Sequence, residues 1–178
     1  MKRNEFHNLV QEHKNRVFSY CYYFLKNRED AEDVTQEVFI RFWNNRESIH
    51  RKKLGAWLLT VAHHRCIDLI RQKRAALSRQ RMTKDLDPDA LASTHTHESD
   101  PELHLEFTET QKVLLSAMES LPEKTKSIIM LHYFQGLKYE TISEMLDTKV
   151  ATIKVAVHRG KRLLRDALME SFPERMAV

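Results

Sequence analysis

Apolar residues recur at helical spacing in two separate stretches of this chain, and between them lies a stretch with no period at all. That break confines the fold to two modules. In the first stretch Val10, Val17 and Phe24, then Ala31, Val34, Val38 and Phe42, then Trp57, Val61 and Leu69 recur in steps that suit one helix face. The spacing predicts three or four packed helices from about Phe6 to Arg74, and a first domain over residues 6–75. From Ala75 to about Leu103 come Ser, Thr, Asp, His, Pro88 and Pro101 with only scattered aliphatics, so residues 76–104 read as a flexible linker. Periodicity resumes at Leu105 and Phe107 and runs through Leu114, Met118 and Leu121. Pro122-Glu123 then opens a new helix, with Pro in a favoured first-turn position, inside a second helical domain over residues 105–172. Hairpins lack raw material: there are 3 Gly and 4 Pro, where an average chain of this length carries about 21 such residues. The expected class is all-α, two small helical domains joined by a flexible linker. Two such domains on a tether suit coordinated binding to one large target.

Charge is distributed in blocks. The net charge of +4 combines a neutral N-terminal part (8 basic and 8 acidic residues in 1–50) with a basic segment (10 and 1 in 51–84). An acidic segment (1 and 10 in 85–123) and a second basic one (10 and 6 in 124–178) follow. Blocks that separate predict segments with different partners. The N-terminus, Met1-Lys2-Arg3-Asn4-Glu5-Phe6-His7, leads into mixed polar sequence without the apolar run of a signal peptide, and the longest apolar stretches are far too short for a membrane span. A soluble, cytoplasmic protein is expected. Cys21 and Cys66 lie in helical sequence without Cys-x-x-Cys spacing and read as buried free thiols.

In the second domain Lys138 to Leu146 forms a short amphipathic segment after Gly136, a residue suited to ending a helix. Asp147-Thr148-Lys149 supplies a turn, and a long helix to about Leu168 carries Leu146, Val150, Ile153, Val157, Gly160, Leu164 and Leu168 as its apolar stripe. This is the outline of a helix-turn-helix. Lys149, Lys154, Arg159, Lys161, Arg162 and Arg165 give the long helix a positive face with no acidic residue among them, which suits phosphate. Lys149, Thr152, Val155, Ala156 and Arg159 occupy its N-terminal half, where a recognition helix meets base edges. Val155 and Ala156 can offer a base only van der Waals contact, as with a thymine methyl. A solvated basic helix capping a small bundle is the plain alternative, and the turn together with the one-sided charge favours DNA.

Glu29, Asp30, Glu32, Asp33 and Glu37 stand within nine residues that contain no base. Asp30, Asp33 and Glu37 share a helix face, where each like-charge pair costs a few tenths of a kcal/mol. The macrodipole of a helix beginning there offsets the cost for Glu29 to Asp33. It does not cover Glu37 or the neighbouring Ile40 and Trp43, and these read as a partner surface. Leu54 to Arg74 reads as a helix that is apolar on one face and strongly basic at its end, preceded by a loop with Arg46, His50, Arg51, Lys52 and Lys53. A basic rim of this kind suits single-stranded or distorted nucleic acid, with Trp57 placed in the core.

No metal is expected: the 10 His include His63-His64 and His95-x-His97, but there is no zinc-finger spacing and no His-Glu-x-x-His. The glycines are isolated, so there is no phosphate-cradling loop, and no nucleophile–base pair stands out. No cofactor, small-molecule substrate or enzymatic activity is expected.

Together these segments resemble the extracytoplasmic-function (group IV) sigma factors of bacterial RNA polymerase, built from regions 2 and 4 of the sigma-70 family. Asp30-Ala31-Glu32-Asp33-Val34-Thr35-Gln36-Glu37-Val38-Phe39 is similar to the family's core-binding signature. Trp57 to Ala62 with Ile67 to Arg71 is similar to its following helix, and Leu121 to Lys124 with Tyr133 to Ile142 is similar to two segments of region 4. The resemblance implies that Asp30, Asp33, Gln36, Glu37 and Ile40 bind the β′ clamp helices of core polymerase. It implies that Arg46, His50, Arg51, Lys52, His64, Arg65, Arg71, Lys73 and Arg74 engage and melt the −10 element. It further implies that Lys149, Thr152, Lys154, Val155, Ala156, Arg159, Lys161 and Arg162 read the −35 element. The acidic linker would thread the polymerase cleft and region 4 would meet the β flap. An anti-sigma factor is an expected partner, and the free protein an expected monomer that binds promoter DNA poorly, with Asp85, Asp87 and Asp89 of the linker folding back on the basic segment.

The chain departs from the family pattern at His64 (usually Asn), Asp147 (usually Gly) and Val155-Ala156 (usually Ser-Arg). Promoter preference therefore does not carry over. A stand-alone helix-turn-helix regulator of duplex DNA is the rival reading, separated from the first by whether the Asp30–Glu37 stripe binds polymerase.

Overall fold

Lys26 is the hinge on which the first module turns: its φ of 52° ends one helix, its N–H reaches the Tyr22 carbonyl at 2.7 Å, and the next helix starts two residues later. Asn27 caps that second helix, its Oδ1 accepting the Asp30 N–H at 2.9 Å. The computed structural model describes residues 3–84 and 109–172. These form two compact units, and among the described residues there is no strand. The linker from residue 85 onward, with Asp85, Asp87 and Asp89, lies outside the described residues, as do residues 105–108 of the expected second domain.

The first unit contains α1 (Arg3–Leu25), α2 (Arg28–Asn45), a 3₁₀ turn (Arg51–Lys53) and α3 (Leu54–Lys84). Each of the three α-helices packs on the other two. Leu9, Val17, Tyr20, Cys21 and Phe24 of α1 meet Ala31, Val34, Val38 and Phe42 of α2 and Leu54, Leu58, Leu59, Ala62 and Cys66 of α3 in one apolar centre. Cys21 and Cys66 are free and buried, as expected.

Two expectations about α3 need correction. Its buried stripe is Leu54, Leu58, Leu59, Ala62 and Cys66, while Trp57, Val61 and Leu69 are only half-buried. The leucines complete the core and leave the indole on the rim, against Phe42 at 6.4 Å between ring centres. The helix also continues to Lys84, through the first part of the expected 76–104 linker. Ala75, Ala76, Leu77, Arg79, Gln80, Arg81, Met82 and Lys84 are all good helix formers, and propensity sustains the helix after its apolar period has ended.

The second unit contains α4 (Glu109–Ser120), α5 (Glu123–Ile129) running into a π turn (Met130–Phe134), α6 (Tyr139–Met145) and α7 (Val150–Ser171). Pro122 is the N-cap of α5, one position before its expected place inside the helix. Gly136, at φ 65°, ends the π turn as expected, and the Leu137 N–H closes on the Leu131 carbonyl at 3.0 Å. Met118, Leu121, Ile128, Ile129, Leu131, Ile142, Met145, Ile153 and Val157 form the core. α7 packs on α4, α5 and α6. Gly160 sets the α5–α7 separation, since a Cβ there would lie 3.0 Å from Ile129 Cδ1 and Thr125 Cγ2.

The α6–α7 turn hangs on Asp147, at φ 44°. The Thr148 N–H bonds the Ser143 carbonyl at 3.0 Å, the long bond of a Schellman cap, and the Ser143 hydroxyl donates to the Thr148 carbonyl. Left-handed backbone strains any residue with a Cβ, and Asp less than most. Asp147→Gly is expected to stabilise this unit by about 0.5 kcal/mol and Asp147→Val to destabilise it by about 1–2 kcal/mol. Hydrogen exchange of the α6 and α7 amides in the whole chain measures both; faster exchange in the glycine variant would contradict the expectation.

Candidate docking and nucleic-acid surfaces

Once its core positions are buried, α2 is left with two polar sides. Asp33, Gln36, Ile40 and Trp43 lie along the outer one, together with Glu29, at steps of three and four. Asp33, Gln36 and Ile40 are exposed, Ile40 to 60%. Trp43 is fixed from both sides, with the Phe6 ring edge-on at 4.7 Å and the Arg46 guanidinium over its face at 4.2 Å. An aliphatic and an indole bordered by carboxylates form a surface suited to a partner that is apolar at its centre and basic around it.

Asp30 and Glu37 belong to the other side, facing α3. Glu37 holds an arginine on each oxygen: Arg41 reaches Oε1 at 2.9 Å, and Arg65 places Nη2 and Nε on Oε2 at 2.6 and 2.7 Å. Asp30 is paired with Lys73. The structure thus divides the carboxylates that were expected to act together, and joins two of them to basic residues expected on DNA. Half-exposed pairs of this kind contribute on the order of 1 kcal/mol or less each.

The other basic candidates are distributed over the turn and α3. Arg46 is folded onto Trp43, donating to its carbonyl at 2.7 Å, and so closes the end of α2. His50 is exposed at the N-cap position of the 3₁₀ turn, its carbonyl accepting the Lys53 N–H at 2.8 Å, Arg51 reaches Glu5 at 3.3 Å, and Lys52 and Lys53 are exposed. His64 and Arg71, seven residues apart and exposed, share a side of α3 with the half-buried Trp57. Arg74 is exposed near them in sequence. Trp57 was hidden from sequence reasoning by its place in an apolar run; the signal was that Leu58, Leu59, Ala62 and Cys66 already complete a stripe without it. Beneath this side, His63 is buried, its Nδ1 3.0 Å from the Tyr20 hydroxyl. Burial first, then His64 and Arg71, push its pKa down to about 4.

In the second unit α6, the Asp147 turn and α7 form the expected helix-turn-helix. Ile153, Val157 and Gly160 face inward, while Thr152, Lys154, Arg159, Lys161 and Arg162 are exposed and Lys149 is the exposed N-cap. Val155 is 48% exposed and Ala156 half-buried beside it. The surface is thus basic at its margins, with two small apolar groups near the N-terminal end of α7. Among the described residues no group of three or more His, Cys, Asp or Glu side chains could hold a metal, and no helix is long and apolar enough to cross a membrane.

The chain matches the family Sigma-70 region 2 over residues 9–76 and the family Sigma-70, region 4 over residues 111–164. It is 31% identical over 178 aligned residues to the ECF RNA polymerase sigma factor SigW of Bacillus subtilis, covering 94% of this chain and 91% of that protein. It is 29% identical to the ECF RNA polymerase sigma factor SigE of Mycolicibacterium smegmatis, covering 93% of this chain but 62% of that protein. In fold it is similar to the sigma factor RpoE from Bartonella quintana, solved in complex with the anti-sigma factor NepR, with TM-score 0.66 and 21% identity over 92% of this chain and 96% of that one. It is likewise similar to CnrH, solved in complex with the cytosolic domain of CnrY, with TM-score 0.64 and 18% identity over 96% of this chain and 90% of that one.

Proposed function

This chain belongs to the sigma-70 family, carrying region 2 and region 4 in that order, and from that premise we propose that it is an extracytoplasmic-function sigma factor that binds core RNA polymerase and directs promoter-specific initiation. The observation that carries the proposal is the outer face of α2. Asp33, Gln36, Ile40 and Trp43 stand open at the surface, with nothing in their own unit to explain an exposed aliphatic beside a carboxylate. On this reading that face docks on the β′ clamp helices. The 3₁₀ turn and the His64–Arg71 side of α3 take the non-template strand of the −10 element, with Trp57 offering a ring to an unstacked base. α7 lies in the major groove of the −35 element, and region 4 also meets the β flap. The protein works in the cytoplasm without catalysis of its own, and an anti-sigma factor is a fitting regulatory partner.

Runoff transcription with core polymerase on a genomic promoter library tests the reading. Discrete start sites that depend on the protein are expected. A folded protein that yields none, while binding duplex DNA alone, would favour the stand-alone regulator.

Specificity gives a second expectation. Val155 and Ala156 can offer bases only apolar contact. Ala156→Arg adds up to five donors at the rim of the groove, so holoenzyme selected on randomised −35 sequences should change its preferred sequence more than its total affinity. Uniform loss on all sequences would contradict this assignment.

A further inference from the structure

Arg46 stands where the end of α2 meets the basic turn, and its side chain turns back to the helix. Arg51, a few residues on, leaves 71% of its side chain exposed, and Arg46 only 27%. The Arg46 guanidinium lies 4.2 Å from the centre of the Trp43 ring, Nη1 donates to the Trp43 carbonyl at 2.7 Å, and Nη2 is 3.8 Å from Glu47. Its Nε–H is buried and has no hydrogen-bond partner among the described residues. A guanidinium that serves phosphate offers its fork of donors to the strand. This one leaves a buried donor unused and covers an indole. Phe6 of α1 meets the same indole edge-on at 4.7 Å and is itself stacked on the buried Phe42 at 5.3 Å. Trp43 is thereby held between α1 and the end of α2, one helical step from the exposed Ile40.

We propose that Arg46 is a positioning residue of the docking face, holding the Trp43 indole in the orientation that polymerase meets, and that it is not a contact to the −10 element. The proposal rests on the sigma-factor reading of the α2 face, while the stack itself belongs to the free unit. An indole ordered before docking loses less freedom in the complex than one that must be ordered by the partner. The guanidinium over its face adds cation–π attraction, which is strongest for Trp. Arginine suits the place because one planar group covers the ring and reaches the Trp43 carbonyl together, which a lysine ammonium cannot do. Polymerase touches Trp43, and Arg46 acts through it.

The test uses the whole chain, with competition against a labelled sigma factor for core polymerase and anisotropy of a labelled single-stranded DNA oligonucleotide. Arg46→Ala is expected to weaken core binding by about threefold to tenfold, and to leave affinity for the oligonucleotide within about twofold of the parent. Trp43→Ala should weaken core binding by about tenfold or more, and in that background Arg46→Ala should cost less than about twofold further. The free protein gives a second readout. In a Trp57→Phe chain, whose one remaining tryptophan is Trp43, Arg46→Ala should raise acrylamide quenching by about 1.5-fold or more. Should Arg46→Ala shift the thermal melt, Arg46→Gln, which keeps a donor for the Trp43 carbonyl, carries the same comparisons. An equal loss of core affinity with and without Trp43 overturns the proposal, as does unchanged quenching, or a loss of DNA affinity with core affinity intact. Runoff transcription by the parent protein separates the two readings. A parent that transcribes with core while Arg46→Ala keeps full core affinity defeats the role of Arg46 alone, and a parent that neither binds core nor transcribes defeats the proposed function.

Discussion

Asp33→Arg combined with Ile40→Glu is expected to reduce affinity for core polymerase by at least about 100-fold and to abolish runoff transcription, while leaving the thermal melt of the protein in place. The size follows from where the two residues sit. A reversed charge meeting a complementary surface costs several kcal/mol, and a carboxylate in place of a central aliphatic adds an unpaired buried charge. The stability expectation follows from exposure: both side chains are exposed, neither belongs to the core of the unit, and surface changes of this kind move stability by about 0.5 kcal/mol or less. Competition against a labelled sigma factor for core polymerase measures the first quantity, and circular dichroism the second. Undiminished transcription at limiting protein would show that this face is not the docking surface.

The second large effect is one of pH. His63 is buried between α1 and α3, edge-on to Phe24 at 5.8 Å and bonded at Nδ1 to the fully buried Tyr20 hydroxyl. Burial, His64 and Arg71 hold its pKa at about 4, against about 6.5 for an exposed imidazole. The folded value is lowered, so the native state keeps the ring neutral where the unfolded chain already takes a proton. Stability from this group is complete above about pH 6.5 and is lost as pH falls towards 4, reaching a deficit of about 3 kcal/mol. Below about pH 4 the native ring also protonates and the loss from this residue levels off. Both tryptophans of the chain, Trp43 and Trp57, lie in this unit, so their fluorescence follows its urea unfolding selectively. The parent should lose stability between pH 6.5 and 4.5 more steeply than His63→Gln, which retains a hydrogen-bonding partner for Tyr20 but does not titrate. Equal slopes would remove His63 as the cause.

Much of this architecture was legible because burial leaves a period in the sequence. Val17, Phe24, Ala31, Val34, Val38 and Phe42 are buried as their spacing indicates, and Gly136 and the α6–α7 turn lie where residue type placed them. α3 departs from this pattern. Trp57, Val61 and Leu69 and the run Leu54, Leu58, Ala62 and Cys66 are both compatible with a helix; the second run is the more complete stripe, and contact with α1 and α2 turns it inward. Its extension to Lys84 left no apolar period, since period records burial, whereas helix formation here rests on propensity. The acidic stripe was legible as charge but not as two sides. Glu37–Arg65 and Asp30–Lys73 join residues 28 and 43 positions apart, and nothing local announces either pair. Arg46 is a different case, since its capping of Trp43 spans three residues and follows from helix geometry.

The position of α7 at the centre of its unit has a consequence for how the chain comes to fold during synthesis. α1, α2 and α3 pack on one another within the first 84 residues, so that unit can close from local contacts early and fast. α4, α5 and α6 each rest on α7, and their apolar surfaces stay open until this last helix has been made and docked. The nascent protein therefore passes through a stage with a finished first unit and an uncovered second core, the species most prone to aggregate or to be taken by chaperones and proteases. A lesion within α7 strikes at abundance before it strikes at recognition.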